Sequence, residues 1–357
     1  MRGERFRKFS EAFPAGASAL AESLTQAGFK VDRERSASFL ALSTLPEILT
    51  ARSADRGQPG PGEFTYVSDL DKLANSNDWT FLLVGSQARK LEQLSNLVSP
   101  VLVVDRPDAA MDFVLRKLSV GAWFGPSEPL PAGVEAESTF HLGPGCHIGS
   151  GTRLEAGVRI GARVRIGARC RIGANSTLHD DTVLGDDCEL MSHVALGGQG
   201  FGFLHYPGAA GPRQRIHVGR VLVGSHVRMG SHVSVDRGVF EDTVVGNGAA
   251  FDNFVHVAHN CQIGENVLLC AQAGLGGSTS IGKNSVLGGQ VGTREGITIG
   301  ENSGIGAQSG VDREVPANAQ MKGYPIQPLR AFLKIQALIQ RLPEFYDRLK
   351  VLEKNKS

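Results

Sequence analysis

From residue 142 an aliphatic side chain recurs at every sixth position: Leu142, Ile148, Leu154, Ile160, Ile166, Ile172, Leu178, Leu184, Leu190 and Leu196. Two places before each stands a smaller or β-branched residue, as at Cys146, Thr152, Val158, Val164, Cys170, Ser176, Thr182, Cys188 and Val194. Glycine often follows the aliphatic position, as at Gly149, Gly161, Gly167 and Gly173. The register breaks after Leu196 and resumes at Val223, Met229 and Val235. It slips again, then runs through Val245, Phe251, Val257, Ile263, Leu269, Leu275, Ile281, Leu287, Thr293, Ile299, Ile305 and Val311. A period of six suits neither a helix nor an isolated strand. It suits a solenoid in which each hexad supplies one short strand and one turn, and three hexads close a triangular coil. The aliphatic side chains then stack along the axis, and burial accumulates coil by coil at ~25 cal/mol per Å². Counting hexads predicts roughly eight coils.

The pattern sets the domain boundaries. Residues 139–316 form the β-helix, interrupted by "GGQGFGFLHYPGAAGPRQRIHVG" at 197–219. That segment is rich in Gly, Pro and aromatics and cannot continue the coil, so it is a long loop of the kind that carries function. Its Phe201 and Phe203 are candidate substrate contacts. Residues 1–125 lack the hexads. "GASALAESL" has helical spacing, "FTYV", "WTFLLV" and "VSPVLVV" read as strands, and "AAMDFVLRKL" as a helix. This is a small α/β domain joined by a linker, 126–138. After a proline-marked exit, residues 317–357 read as a helical extension: "LRAFLKIQALIQRL", with an apolar face at Leu329, Phe332, Leu333, Leu338 and Ile339, then a second helix from Pro343. Arg330, Lys334 and Arg341 fall at i, i+4 and i+11, either a solvated face or a docking patch for an acidic partner.

Composition narrows the classes. The 45 glycines and 6% aromatics point to many tight turns. A net charge of +1 excludes the large imbalance expected of a nucleic-acid binder. No apolar run approaches the roughly 20 residues needed to span a bilayer. The first residues lack a secretory apolar core, so a cytoplasmic location is expected. The five cysteines include no CxxC pair, and four of them occupy the small inward hexad position, as reduced packing residues.

The candidate chemistry lies in "FDNFVHVAHNCQIG", where His256 and His259 stand three apart. Periodicity places Phe251, Val257 and Ile263 in the stack and leaves both histidines at intervening positions of equal rank. The chain from "VSVDRGVFEDTVVGNGAAFDNFVHVAHNCQIG" to "SGVDREVPANAQMKGYPIQPLRAFLKIQALIQRLPE", with its internal "QGFGF" loop, resembles the UDP-3-O-acylglucosamine N-acyltransferase (LpxD) family of lipid A biosynthesis. Hexads of this form are similar to those of left-handed parallel β-helices, a handedness opposite to the usual crossover rule. The resemblance implies a mainly β fold with an N-terminal uridine-binding-like α/β domain and C-terminal helices, and a homotrimer with sites between subunits. It implies transfer of a 3-hydroxyacyl chain from acyl carrier protein, whose phosphopantetheine carries it, to the 2-amine of a UDP-linked, 3-O-acylated glucosamine, without other cofactor or metal.

On this resemblance the "AHN" histidine, His259, is the general base, a task suited to a residue type that titrates near ~6.5. Gly277, 18 residues on, is the oxyanion donor through its backbone N–H. His256 is a supporting or substrate-contacting residue, and Asp252 and Asn253 contact the sugar or orient His259. Tyr66 stacks on uracil. Asp69 stands in the neighbouring segment, where "SDLDK" replaces the family's Asn-Pro-Lys-Tyr run. Two further departures are Gly296, where the family has a second histidine, and Gln199, where its loop begins with Asp. The alternatives are a divergent paralogue acylating another sugar nucleotide, and a non-catalytic β-helix scaffold. A metal-dependent hydratase would need three converging histidines, and His226, His232, His256 and His259 show no matching spacing.

Overall fold

The computed structural model describes residues 16–32, 64–66, 81–85, 101–104, 107–118, 128–137 and 139–354. It divides into two compact units. One comprises Met1–Ala122, Gln199–Gly219 and Val239–Glu241; the other comprises Trp123–Gly198, Arg220–Gly238 and Asp242–Ser357.

The second unit is a parallel β-helix whose three faces are sheets of 8, 9 and 11 strands. Strands are short, mostly two residues, and each pairs in register with its neighbours on the adjoining coils, as Arg165 does with Val183 and with His147. The aliphatic hexad residues point inward and are buried: Leu154, Ile160, Ile172, Leu178, Leu190 and Leu196 are all at 0% exposure. The smaller position is buried with them, at Thr152, Val164, Ser176 and Val255.

The stack is longer than the predicted eight coils. Glu135–Ala136, expected in the linker, already pairs with Arg153–Leu154, and Gln320–Lys322, expected in the extension, pairs with Gly304–Ile305. At these ends Ala136 and Met321 pack against the core while only partly buried. Terminal coils have one neighbour rather than two, so they need less apolar surface and escape an aliphatic count.

Every turn demands a left-handed residue, and the chain repeats one there at six-residue steps: Arg163, Arg169, Asn175, Asp181 and Asp187, and later Asn260, Asn266, Gln272 and Ser278. Asn and Asp tolerate this conformation better than other side-chain residues. Ladders of side chains up the corners offset the remaining cost. Asn284 donates to Asn302 at 3.1 Å and Gln290 to Gln272 at 2.7 Å. Phe254, a bulky residue at φ 61°, stacks on His232 at 4.9 Å, and His232 stacks on His193 at 4.8 Å.

The two breaks in the hexad register have one physical cause: residues 199–219 and 239–241 belong to the first unit. There a sheet ordered Val31–Asp32, Val101–Val104, Phe81–Gly85, Phe64–Tyr66 accompanies helices α1 (Gly16–Gln26) and α2 (Pro107–Leu118). The loop forms a hairpin, Phe203–Leu204 with Arg213–Gln214. It is anchored on α2 by Asp112, 1% exposed, which accepts from Tyr206 Oη, from the Ile216 N–H and from Arg116 Nε. Three donors satisfy a carboxylate that would be costly to bury alone. Phe240, from the second break, joins Leu20, Leu24, Met111 and Leu115 in this unit's core.

Beyond the coils run α3 (Leu329–Gln340) and α4 (Leu342–Lys354). The expected apolar face of α3 is present but α3 has no buried residue; Leu333, Leu338 and Ile339 are exposed, as are Leu349 and Leu352 of α4. Among the described residues no helix is long and apolar enough to cross a membrane.

Candidate functional site

In the coils, the residue two places after the aliphatic position begins the turn. Where this residue is Asp or Asn, its side chain accepts a backbone N–H from the neighbouring coil. Asp180 accepts from Ala162 at 3.0 Å, Asp186 from Ala168 at 2.7 Å, Asn247 from Ser225 at 2.9 Å and Asn253 from Ser231 at 2.8 Å. His259 occupies this same slot after Val257. On the next coil the slot is Gly277. A β-carbon there would lie 2.6 Å from Cε1, 2.8 Å from Nε2 and 3.1 Å from Nδ1 of His259. The ring therefore lies directly over the Gly277 backbone, and only glycine leaves room for it.

The hydrogen bond at the other ring nitrogen sets the tautomer. Asn260 Oδ1 can only accept, so the 3.1 Å contact places the proton on His259 Nδ1 and the basic lone pair on Nε2. Asn260 is itself held by its N–H, which donates to Thr243 Oγ1 at 2.8 Å. Thr293, the polar interruption in the stack, accepts the N–H of Gly276 at 2.9 Å and pairs with Thr279 Oγ1 at 3.1 Å, bracing the turn that carries Gly277. The arrangement can take a proton at Nε2 and offer a backbone donor one coil away.

His256 lies on the outer face of the nine-stranded sheet, on the strand that leads into this turn. Its Nδ1 contacts Ser234 Oγ at 2.8 Å, and its Nε2 stands 3.8 Å from Asp236 Oδ2. Burial, with repulsion from His259, lowers its proton affinity below the ordinary imidazole range. Burial acts oppositely on the carboxyl of Asp236, pushing its pKa up to about 7. Neither Ser234 nor Asp236 stood out in the sequence. The available signal was "VSVD", polar residues alternating with inward Val233 and Val235 just before a register slip.

Arg237 was also missed. It is 2% exposed, and its guanidinium donates to the carbonyls of Gly197 at 2.7 Å and Asp180 at 2.8 Å. It pins the coil end at the point where the 197–219 loop departs. It also joins burial in lowering the pKa of His179 to about 4.

The remaining candidates are distributed. Asp252 and Asn253 start the turn before His256, whereas His259 starts the turn after it, so one chain places them at opposite edges of the same face. Asn253 is committed to its slot, accepting from Ser231, while Asp252 lines a shallow depression with Met191, Arg228, Leu268 and Cys270. Phe201 and Phe203 form an edge-on pair at 5.0 Å and are 84% and 47% exposed. Tyr66 ends a strand of the first unit's sheet; Asp69 lies outside the described residues. Arg330 and Lys334 are exposed on α3, but Arg341 does not share their helix. It caps α3 and turns toward α4, forming a two-pronged ion pair with Glu344 at 3.0 and 3.2 Å. The expected three-residue stripe ends here because the helix breaks after Gln340.

Below His256 the outer face carries glycines in register: His256 pairs with Gly274, Gly274 with Gly292, and Gly292 with Gly310. Added β-carbons at Gly274 and Gly292 would meet nothing within 4 Å, whereas one at Gly310 would collide with the Tyr324 ring. This is an open lane about 10 Å long at the usual strand spacing, closed at its far end by an aromatic side chain.

Residues 242–277 match the bacterial transferase hexapeptide family (six repeats), and 163–192 and 278–311 match the hexapeptide repeat of succinyl-transferase. UDP-3-O-acylglucosamine N-acyltransferase of Thermosynechococcus vestitus is 51% identical over 161 residues, 45% of this chain and 47% of that protein. The protein of the same name from Methylococcus capsulatus is 37% identical over 168 residues, 47% of each chain. The chain thus spans about half the length of the curated relatives it matches. Among solved structures, the UDP-N-acetylglucosamine acyltransferase of Francisella novicida has a TM-score of 0.50 at 20% identity, covering 54% of this chain and 69% of that one, which is a likeness of fold. The resemblance to UDP-3-O-acylglucosamine N-acyltransferases is borne out over the matched half of the chain.

Proposed function

We propose that this chain is an N-acyltransferase that moves a (3-hydroxy)acyl chain from acyl carrier protein to the 2-amine of a UDP-3-O-acylglucosamine in lipid A biosynthesis. The observation that carries the reading is the His259 ring lying on the Gly277 backbone, one coil apart, in a turn slot where Asp180 and Asn247 tie neighbouring coils together. The names of the relatives that share these coils point the same way.

The chemistry follows from the geometry. The acceptor amine attacks the thioester carbonyl while His259 Nε2 takes its proton. The carbonyl oxygen gains charge beside Gly277, whose N–H donates to it. The imidazolium then returns the proton to the departing pantetheine sulfur, so no acyl-enzyme forms and the histidine is restored. The glycine lane from Gly274 toward Tyr324 receives the acyl chain. Tyr66 stacks on the uracil, and Asp252, Asp69, Phe201 and Phe203 contact the acceptor. A homotrimer would cover the apolar faces that α3 and α4 leave exposed and bring Asp252 of one subunit toward His259 of the next. Arg330 and Lys334 face the acidic carrier protein.

Incubation of the purified protein with UDP-3-O-acylglucosamine and a series of acyl carrier proteins tests this reading. Turnover is expected for at least one chain length and should fall by about 10²–10⁴-fold in His259→Ala, the range for loss of a general base. Absence of turnover with every chain length, or full activity in His259→Ala, would reject it.

A further inference from the structure

The strand before the second register break holds a carboxylate that the mechanism above does not use. Ser234 and Asp236 flank inward Val235, so both side chains stand on the outer face. One coil on, His256 pairs in register with Ser234 and Val257 with Val235, which sets Asp236 opposite the Ala258–His259 turn. The imidazole bridges the two: Nδ1 to Ser234 Oγ at 2.8 Å, Nε2 to Asp236 Oδ2 at 3.8 Å. The Asp236 side chain is 15% exposed and that of His256 is 47% exposed, so the carboxylate is the more deeply set of the two while keeping some access from outside. On its other side Asp236 pairs with Gly198, which presents no side chain to Oδ1. The nearby titratable or charged groups, among the described residues, are His256, His259, the interior thiol of Cys261, and Arg237. The Arg237 guanidinium donates to the Gly197 and Asp180 carbonyls.

A basic amine enters the site chiefly as an ammonium and must lose two protons before it is an amide nitrogen. His259 handles one of them, lending it to the leaving thiolate. We propose that Asp236 takes the other from the bound ammonium and passes it through His256 to solvent. This rests on the acyl-transfer reading above. In the first step an N–H bond of R–NH₃⁺ breaks, its proton goes to an Asp236 carboxylate oxygen, and the electron pair stays on nitrogen as the nucleophile. The amine attacks the thioester carbon, His259 Nε2 takes the second proton, and the C–S bond breaks with that proton delivered to sulfur. The carboxylic acid then loses its proton to His256 Nε2 and the ring releases it outward. The sum is ammonium plus thioester giving amide, thiol and one proton in solution. Burial raises Asp236 to about 7 and lowers His256, so the ring holds the proton only in passing before releasing it.

The test is kcat/KM against pH for wild type, Asp236→Asn and His256→Gln, with UDP-3-O-acylglucosamine and its best acyl carrier protein. The wild type should hold its kcat/KM from the acceptor's own amine pKa down to about 7, where Asp236 itself takes up a proton. Asp236→Asn should lose about tenfold per pH unit below that pKa, the gap narrowing as pH rises, because only free amine can then react. His256→Gln should show the same acid-side loss, which keeps the test open if one variant folds poorly. Profiles parallel to the wild type, or a drop of equal factor at every pH, would overturn the relay while leaving acyl transfer standing. A wild type that acylates no amine would remove both.

Discussion

Gly277→Ala is a one-carbon change with a calculable consequence. The φ of Gly277 lies outside the left-handed region, so the alanine backbone fits without strain. The added carbon would lie 2.6 Å from His259 Cε1 and 2.8 Å from Nε2. Ordinary carbon contacts are ~3.5–4.0 Å, so the ring must retreat by about 1 Å. Its Nδ1 bond to Asn260 resists that movement, and the ring tilts rather than slides. A displacement of about 1 Å in a reacting group costs on the order of 10²-fold, or about 2.7 kcal/mol of barrier. Gly277 is buried, so overpacking there also costs about 1–3 kcal/mol of stability. Steady-state kinetics should therefore show kcat down by roughly 10²-fold, while thermal unfolding shows Tm lowered by only a few degrees. A variant that keeps activity within threefold of wild type would refute the reasoning, because the ring position over Gly277 would then not matter to the chemistry.

Two further outcomes follow from burial and from empty space. Asp236 keeps its proton up to about 7 in the folded chain against an ordinary 3.8, so the folded state binds the proton more tightly. Its contribution to stability is full below about 3.8 and is lost as pH rises through 7. Asp236→Asn should remove that slope, gaining on the order of 1–3 kcal/mol relative to wild type between pH 5 and pH 8; Tm curves that run parallel over this interval would exclude it. Gly292→Leu fills the outer lane without touching the core, since its β-carbon meets nothing within 4 Å. Tm should hold while turnover shifts to shorter acyl chains, and an unchanged chain-length preference in competition assays would place the acyl group elsewhere.

The coils were legible because one rule, an aliphatic every six residues, is enforced by the same core at each level. Where the core is thinner the rule fades, which is why Ala136 and Met321 were not seen as coil residues. The register breaks were visible as breaks, but their purpose was not. Tyr206, Ile216 and Phe240 are apolar or aromatic in any reading, and nothing local says that Asp112, about a hundred positions away, is where the loop is tied. Asp236 and Arg237 escaped for a related reason. Their neighbours, Gly197, Gly198 and His256, reach them across the inserted loop or the next coil, so no short motif joins them. Arg341 illustrates the opposite error: spacing extended a helix face past the residue where the helix ends.

Within the structure, the turn slot it occupies is what sets His259 apart from His256. In that slot Asp180, Asp186, Asn247 and Asn253 tie adjacent coils together through backbone hydrogen bonds. A coil stack has many such ties, and stability summed over neighbouring coils tolerates the loss of one. Replacing a tie by histidine therefore forfeits little, provided the next coil supplies no side chain beneath the ring. Gly277 meets that condition, and the same omission leaves its backbone approachable by a substrate. The two turns that carry base and donor are then stacked at the rise of one coil, about 4.8 Å, a backbone spacing fixed by strand pairing. The rigidity that makes the rod a good scaffold is the same property that holds the two groups in reacting geometry.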